Sequence, residues 1–373
     1  MKSKVAIIKC ISYESPLVQQ KVREAVGLIG GMAAFIKPQS RVLVKPNLLM
    51  AKGPEFGIDT HPEVVRAVIK LLKEIECKIF VGDGPSVWGT QAENVDDVYE
   101  RSGIRGICEQ EGVDLVKFEH RRWRGKFPLT TWLDNVDFLV NVPKFKTHDL
   151  TLLTGAVKNL FGLVSGNYKT ELHKNYFNIN DFSNILVDIF EEVKPVLTIV
   201  DGIIAMEGDG PATSGKLRKQ NLLFASSDCV ALDTIMAIIM GVDPFDVLST
   251  KEAGRRRLGA FDIEQIDVFG ERLEKLMDKP FILPSTSFKK RIPPAVVNIA
   301  KHLIRYYPCV ERDNCIKCSA CIEACPNKAI RMDKNKGIVF DYSKCIACFC
   351  CQEACPAAAI KVKKSFFAKL IGL

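Results

Sequence analysis

Short apolar runs recur along the first 270 residues, at 5–10, 42–45, 78–82, 115–118, 136–142, 197–201, 221–225 and 266–269. Each is bounded by polar or glycine-containing sequence and is too short for a helix, so each reads as a buried strand. Between them apolar residues recur at helical spacing over 17–36, 63–76, 95–111, 181–192 and 230–240. Strands alternating with helices imply an α/β domain, a layered and mostly parallel sheet with helices on both faces. Two glycine-containing segments, 82–90 and 203–216, each follow a strand. They read as loops at the carboxyl ends of the strands, where open α/β sheets bind ligands.

The alternation stops near residue 270. Residues 271–308 read as connecting sequence. Its later part opens on the basic run Lys289-Lys290-Arg291 and the pair Pro293-Pro294, and 295–307 has the pattern of an amphipathic helix. That helix is expected to dock one domain on the other. The chain therefore divides into an α/β domain (1–288), a basic connector (289–308), a small cysteine-rich α+β domain (309–364) and a tail (365–373). Phe366, Phe367, Leu370 and Ile371 in the tail suit packing of the terminus better than peripheral contact with a membrane. No apolar run reaches the length of about 18 residues that spans a bilayer. Met1 leads into the first strand without a signal-like apolar stretch, so a cytoplasmic protein is expected.

Composition changes this picture at the second domain. Ten of the 14 cysteines lie between Cys309 and Cys355. The formal charge of +8 is equally uneven: from Lys289 onward 16 lysines and arginines face 6 acidic residues, and before it 36 face 38. Crowded cysteines without a secretory signal point to metal or redox use rather than disulfides. The basic excess then balances buried thiolates and a modest docking surface, and it does not argue for nucleic acid. The run His120–Lys126 reads as a solvated hairpin within a slightly acidic domain.

The cysteine spacing is specific. Cys315-x2-Cys318-x2-Cys321-x3-Cys325-Pro is followed by Cys345-x2-Cys348-x2-Cys351-x3-Cys355-Pro. Each is the bacterial run for a [4Fe–4S] cluster, in which the fourth cysteine ligates the other cluster. One cluster is expected on Cys315, Cys318, Cys321 and Cys355, and a second on Cys345, Cys348, Cys351 and Cys325. Zinc ribbons are the weaker alternative, because they have no need of three cysteines at this spacing twice over. Residues 310–364 resemble the two-cluster bacterial ferredoxins, whose small hairpin fits the sequences around Ala329–Met332 and Ile338–Asp341. Ser319 and Phe349 stand where those proteins often carry glycine. Cys350 and Cys309 are surplus; Cys350 reads as a buried thiol beside a cluster rather than a ligand.

Polar segments interrupt the α/β pattern at strand ends: Lys45–Leu49, Thr60–Pro62, Gly82–Ser86, Val142–His148, Thr154–Gly162 and Val200–Pro211. In this order, with Asp228–Asp233 opening a late helix, they resemble the domain of unknown function 362 family over about 42–243. Members of that family are often followed by a two-cluster ferredoxin unit, and the resemblance implies no settled reaction. The residues say more. Lys45, Lys144, Lys146 and Lys158, with Asn47 and Asn159, make a candidate anion site. The glycine-opened Thr154–Gly162 offers helix N–H groups to the same anion. Asp83, Asp201, Glu207, Asp209 and Asp233 supply carboxylates, and His61 and His148 are candidate proton carriers.

Single lysines at strand ends are more often solvated charges, and single aspartates more often caps, so the expectation rests on the set. Trp88, Trp123 and Trp132 read as packing residues. The expected function is electron transfer from two clusters to a small anionic substrate or cofactor in the α/β domain, with a divalent cation as an alternative occupant. His61, His148, Lys144 and Asp209 would act on it; Lys45, Asn47, Asp83, Lys146, Lys158, Asn159 and Glu207 would hold it. An electron-donor or acceptor protein is the expected partner. The alternative is a carrier or maturation factor that passes electrons or clusters to a protein.

Overall fold

The structure, a computed structural model, describes residues 2–85, 94–165, 168–176, 178–287, 306–334 and 337–365. Among these residues twelve strands precede the cysteine-rich part: β1 (Ser3–Lys9), β2 (Arg41–Pro46), β3 (Lys78–Val81), β4 (Asp114–Leu115), β5 (Arg121–Arg124), β6 (Phe127–Thr130), β7 (Phe138–Val142), β8 (Lys144–His148), β9 (Leu152–Thr154), β10 (Leu197–Gly208), β11 (Gly215–Ser226) and β12 (Ile266–Gly270). Ten of them form one sheet in the order β12-β1-β11-β10-β7-β2-β3-β4, with β8 joined to β10 and β9 to β8. All pairings are parallel except those of β11 and β9.

The strands are buried on both faces, and their side chains alternate between two cores. Ala6, Val42, Val44, Val81 and Val140 pack with helices Ser15–Leu28 and Pro62–Lys73 on one face. Leu43, Phe80 and Leu139, and further along the sheet Val5, Ile7 and Phe224, pack with helices Ile179–Val193 and Cys229–Met240 on the other. Asp228 caps the last of these, accepting from the N–H groups of Val230 at 2.9 Å and Ala231 at 3.0 Å.

The elements differ from the sequence reading in five places. The helix expected over 17–36 ends at Leu28, and Gly30 and Gly31 follow with φ of 132° and 85°. The helix expected over 95–111 is split at Gly103, φ 78°. Segment 203–216 is a loop only over 209–214. Its first part continues β10, because Ile203, Ala205 and Met206 stay buried against β11. Segment 142–148 is mostly a strand, β8. The basic run at 121–124 is the outer strand of the β5–β6 hairpin, with Arg121 and Trp123 exposed. Trp132 packs against Phe80. Trp88, most of the connector and all of the tail except Ser365 lie outside the described residues, and Tyr306 and Tyr307, expected to end the connector helix, are strand.

The cysteine-rich part is closed by β13 (Tyr306–Val310) pairing antiparallel with β16 (Ile360–Lys364), around the hairpin β14 (Ile330–Met332) and β15 (Ile338–Phe340). It sits on the α/β domain: the Thr213 hydroxyl, in the turn between β10 and β11, donates to the Cys355 carbonyl at 2.7 Å. Among the described residues no helix is long and apolar enough to cross a membrane.

Candidate anion site and cluster domain

β8 carries the core of the polar site. Its sequence Lys-Phe-Lys-Thr-His alternates, so Lys144, Lys146 and His148 share one face and Phe145 points to the other, against Phe224 and Phe281. All three polar side chains are buried. A buried ammonium is tolerated only with compensating partners. Lys144 Nζ lies 2.7 Å from Asp201 Oδ2 and donates to the Tyr13 hydroxyl at 2.9 Å. Tyr13 in turn donates to Asp201 Oδ1 at 2.7 Å, and its ring stacks on His61 with centroids 3.6 Å apart. Lys146 Nζ donates to the Ile58 carbonyl at 2.7 Å. Burial pulls its pKa down and pushes that of nearby Asp59 up, each opposed by the charge of the other.

His61 is the N-cap of helix Pro62–Lys73, its Nδ1 accepting from the Glu63 N–H at 3.2 Å. Burial holds its pKa down to about 4, so the ring is neutral near pH 7 and carries its proton on Nε2. His148 is arranged alike: Nδ1 accepts from the Leu150 N–H at 3.1 Å, and Nε2 lies 3.3 Å from Glu353 Oε1.

The ends of β2 and β3 build the adjoining wall. Lys45 Nζ pairs with Asp83 Oδ1 at 2.7 Å, both fully buried, and Asp83 Oδ2 accepts from the Leu48 N–H. A cavity of about 60 Å³ opens here, lined among others by Asn47, Asp83, Thr154, Lys158, Lys169 and Glu353. That is room for a few waters or one small ion. Gly162 also lines it, and a side chain there would run into Asp83 and Lys45, so the ion pair needs glycine beside it. Lys169 donates to the Gly84 carbonyl, and burial lowers its pKa to about 8. Burial also lowers that of Lys158, with Glu353 opposing.

The structure thus gathers Lys45, Asn47, Asp83, Lys146, Lys158 and Asn159 around one polar interior, with Lys144, His61 and Asp201 at one end and His148 at the other. The remaining acids are engaged elsewhere. Asp209 accepts from the Ser285 N–H at 2.7 Å and its hydroxyl at 2.5 Å. Glu207 pairs with Arg218 at 2.9 Å and accepts from the Ile282 N–H. Both tie segment 279–285 to the β10–β11 hairpin. Asp233 accepts from the Ala156 and Val157 N–H groups at 2.6 and 3.1 Å. Those N–H groups, expected to face a ligand anion, already hold an internal carboxylate. Sequence reasoning missed Tyr13, Asp59, Lys169 and Glu353. Only Tyr13, just past a strand end, carried a local signal.

Glu353 comes from the cysteine-rich part, between Cys351 and Cys355, and is buried. In that part Cys315, Cys318, Cys321 and Cys355 line one small cavity with Ile338 and Ile360. The Cys351 thiol is pushed well up by burial and then by Cys348, Cys321, Cys345 and Cys325 around it. The fourth cysteine of the second run therefore lies with the first three of the first, and Cys325 lies near Cys345 and Cys351 of the second. Among the described residues no three His, Cys, Asp or Glu side chains close on a single-ion site. The first thiol set instead surrounds a space, as a polynuclear cluster requires. Ser319 and Phe349 have φ of 67° and 60°, which explains the glycine common at that position. The Ala329 and Ala359 N–H groups donate to Cys325 Sγ at 3.1 Å and Cys355 Sγ at 3.2 Å, bonds of the kind that tune cluster potentials. Cys350 is buried next to Cys348.

Comparison with known proteins agrees with this division. Residues 42–238 match the family described as a domain of unknown function (DUF362), and residues 314–359 match a 4Fe-4S dicluster domain. A thylakoid-associated protein of Synechocystis sp. is 34% identical over 266 residues, covering 69% of this chain and 80% of that protein. The lactate racemase apoprotein of Thermoanaerobacterium thermosaccharolyticum aligns with a TM-score of 0.39 at 13% identity, over 65% of this chain and 58% of its own. The chain belongs to the DUF362 family and carries an iron–sulfur, ferredoxin-type domain after it.

Proposed function

We propose that this protein is an iron–sulfur oxidoreductase that delivers electrons to a small anionic ligand held in the α/β domain. Two [4Fe–4S] clusters, one on Cys315, Cys318, Cys321 and Cys355 and one on Cys345, Cys348, Cys351 and Cys325, would supply one-electron reducing equivalents. The observation that carries the reading is Glu353, which belongs to the second cysteine run and also lines the lysine cavity.

The side chains divide the work. Lys45, Lys144 and Lys146 each have a carboxylate close by, whereas Lys158 and Lys169 face the cavity with Glu353 and leave it a positive excess. They hold the anion, with Asn47 fixing its orientation and Asn159 holding Asn47 in place. His61, neutral and backed by Tyr13, Lys144 and Asp201, offers an Nε2 proton; His148 does the same beside Glu353. Asp209 contributes by anchoring the hairpin. Thiol-held clusters suit a reducing compartment, so the reading is of a cytoplasmic protein with a protein electron donor.

Anaerobically reconstituted protein should bind about eight irons and cycle reversibly. Reduced holoprotein should be reoxidised by a member of a panel of small carboxylates and phosphate esters that carry a reducible carbonyl or conjugated alkene, which takes up two electrons and two protons, and Lys158→Met should abolish that. A carrier would behave differently. If no anion reoxidises it while an apo-acceptor protein strips its iron, the carrier reading replaces this one.

A further inference from the structure

The cavity has an unfinished hydrogen-bond inventory. The Thr154 hydroxyl is buried and lines it, yet has no partner among the described residues. The Lys158 ammonium has no hydrogen bond or ion pair there, only the Phe161 ring 6.0 Å away. Asn47 Oδ1 is buried at the same place with no donor to it.

The direction of Asn47 is not free to change. The Ala156 carbonyl only accepts, so Asn141 turns its Nδ2 to it, at 3.0 Å. Asn141 then presents Oδ1, which accepts from Asn159 Nδ2 at 2.8 Å. Asn159 Nδ2 also faces the Pro46 carbonyl, which again only accepts. Asn159 is left with Oδ1, which accepts from Asn47 Nδ2 at 3.0 Å. Three amides in series, anchored on backbone carbonyls, leave Asn47 with an oxygen toward the cavity.

We infer that the cavity is built for a compact oxyanion that carries its own hydrogen-bond donor, such as hydrogen phosphate or a hydroxyl-bearing carboxylate, the donor resting on Asn47 Oδ1 and the charge on Lys158. A fully deprotonated oxyanion would set lone pairs against Asn47 and leave it unpaired, a cost that sites of this kind turn into discrimination. The inference rests on the anion-site reading above and sharpens it.

Calorimetric titration of the holoprotein at neutral pH tests it with two matched pairs: inorganic phosphate against sulfate, and glycolate against acetate. The donor-bearing member of at least one pair should bind tenfold or more tighter, and Asn47→Leu, checked for unchanged melting, should erase that ratio. Lys158→Met should weaken every anion that binds. Equal binding within both pairs would overturn the donor inference and leave the anion site standing. No binding by any of the four would overturn both.

Discussion

The two cysteine runs share a backbone but not surroundings. Shifting the first by thirty residues superposes Cys315 on Cys345, Ser319 on Phe349, Ala320 on Cys350 and Glu323 on Glu353. The left-handed positions repeat too, at Lys317 and Ala347 and again at Lys328 and Ala358. Glu323 is exposed, however, and Ile316 is 65% exposed, whereas Phe349, Cys350, Gln352 and Glu353 are all buried. One run presents its edge to solvent and the other presses its short helix, Cys350–Glu353, on the lysine site. The spacing fixes what each run can ligate, and the residues between the cysteines decide what each faces. In the proposed function that asymmetry would make the first run the entry point for electrons and the second the exit.

The largest effect expected is loss of a cluster. Cys321→Ser and Cys351→Ser should each cut bound iron from about eight to about four. Cys355→Ser should remove the same spectroscopic signal as Cys321→Ser, and Cys325→Ser the same as Cys351→Ser. Signals that pair within a run would refute the crossed arrangement.

Next is a pH effect on the site the second run faces. The His61 pKa is lowered from 6.5 to about 4 in the fold, so its contribution to stability is present above 6.5 and is lost as pH falls through 4. The loss is up to about 3 kcal/mol. Denaturant unfolding of wild type and His61→Asn across that window should show the wild type losing more; parallel curves would deny His61 its buried, neutral state.

Glu353→Gln should raise phosphate affinity about five- to tenfold by removing a carboxylate facing Lys158. Glu323→Gln, at the matching place in the first run, should leave it unchanged. Smallest is Ile316→Glu, expected to slow reduction by an external protein donor a few-fold while phosphate binding stays as it was. An equal effect of the two glutamate changes would erase the asymmetry.

Legibility in the sequence followed the range of the interaction. The cysteine runs were readable because a cluster loop is local, its ligands three or four residues apart. The sheet was readable because buried parallel strands are continuous apolar runs. β8 was not, because a strand of alternating lysines is stable only with Asp201, Tyr13 and Asp59 beside it, and those come from distant segments. The same distance hid Glu353, which looks like an ordinary surface acid in its run, as Glu323 is. Conversely, Glu207, Asp209 and Asp233 looked like site acids because residue type alone cannot tell a ligand-facing carboxylate from one satisfied by a backbone N–H or an arginine.

The most direct test of the account is the electron paramagnetic resonance spectrum of the reduced holoprotein with and without phosphate. An anion beside Glu353 should shift the signal that Cys351→Ser removes and leave the signal that Cys321→Ser removes unchanged, and in Lys158→Met phosphate should shift neither signal. A shift of the Cys321-dependent signal alone, of both equally, or of neither with phosphate bound would contradict the coupling of the second cluster to the anion site.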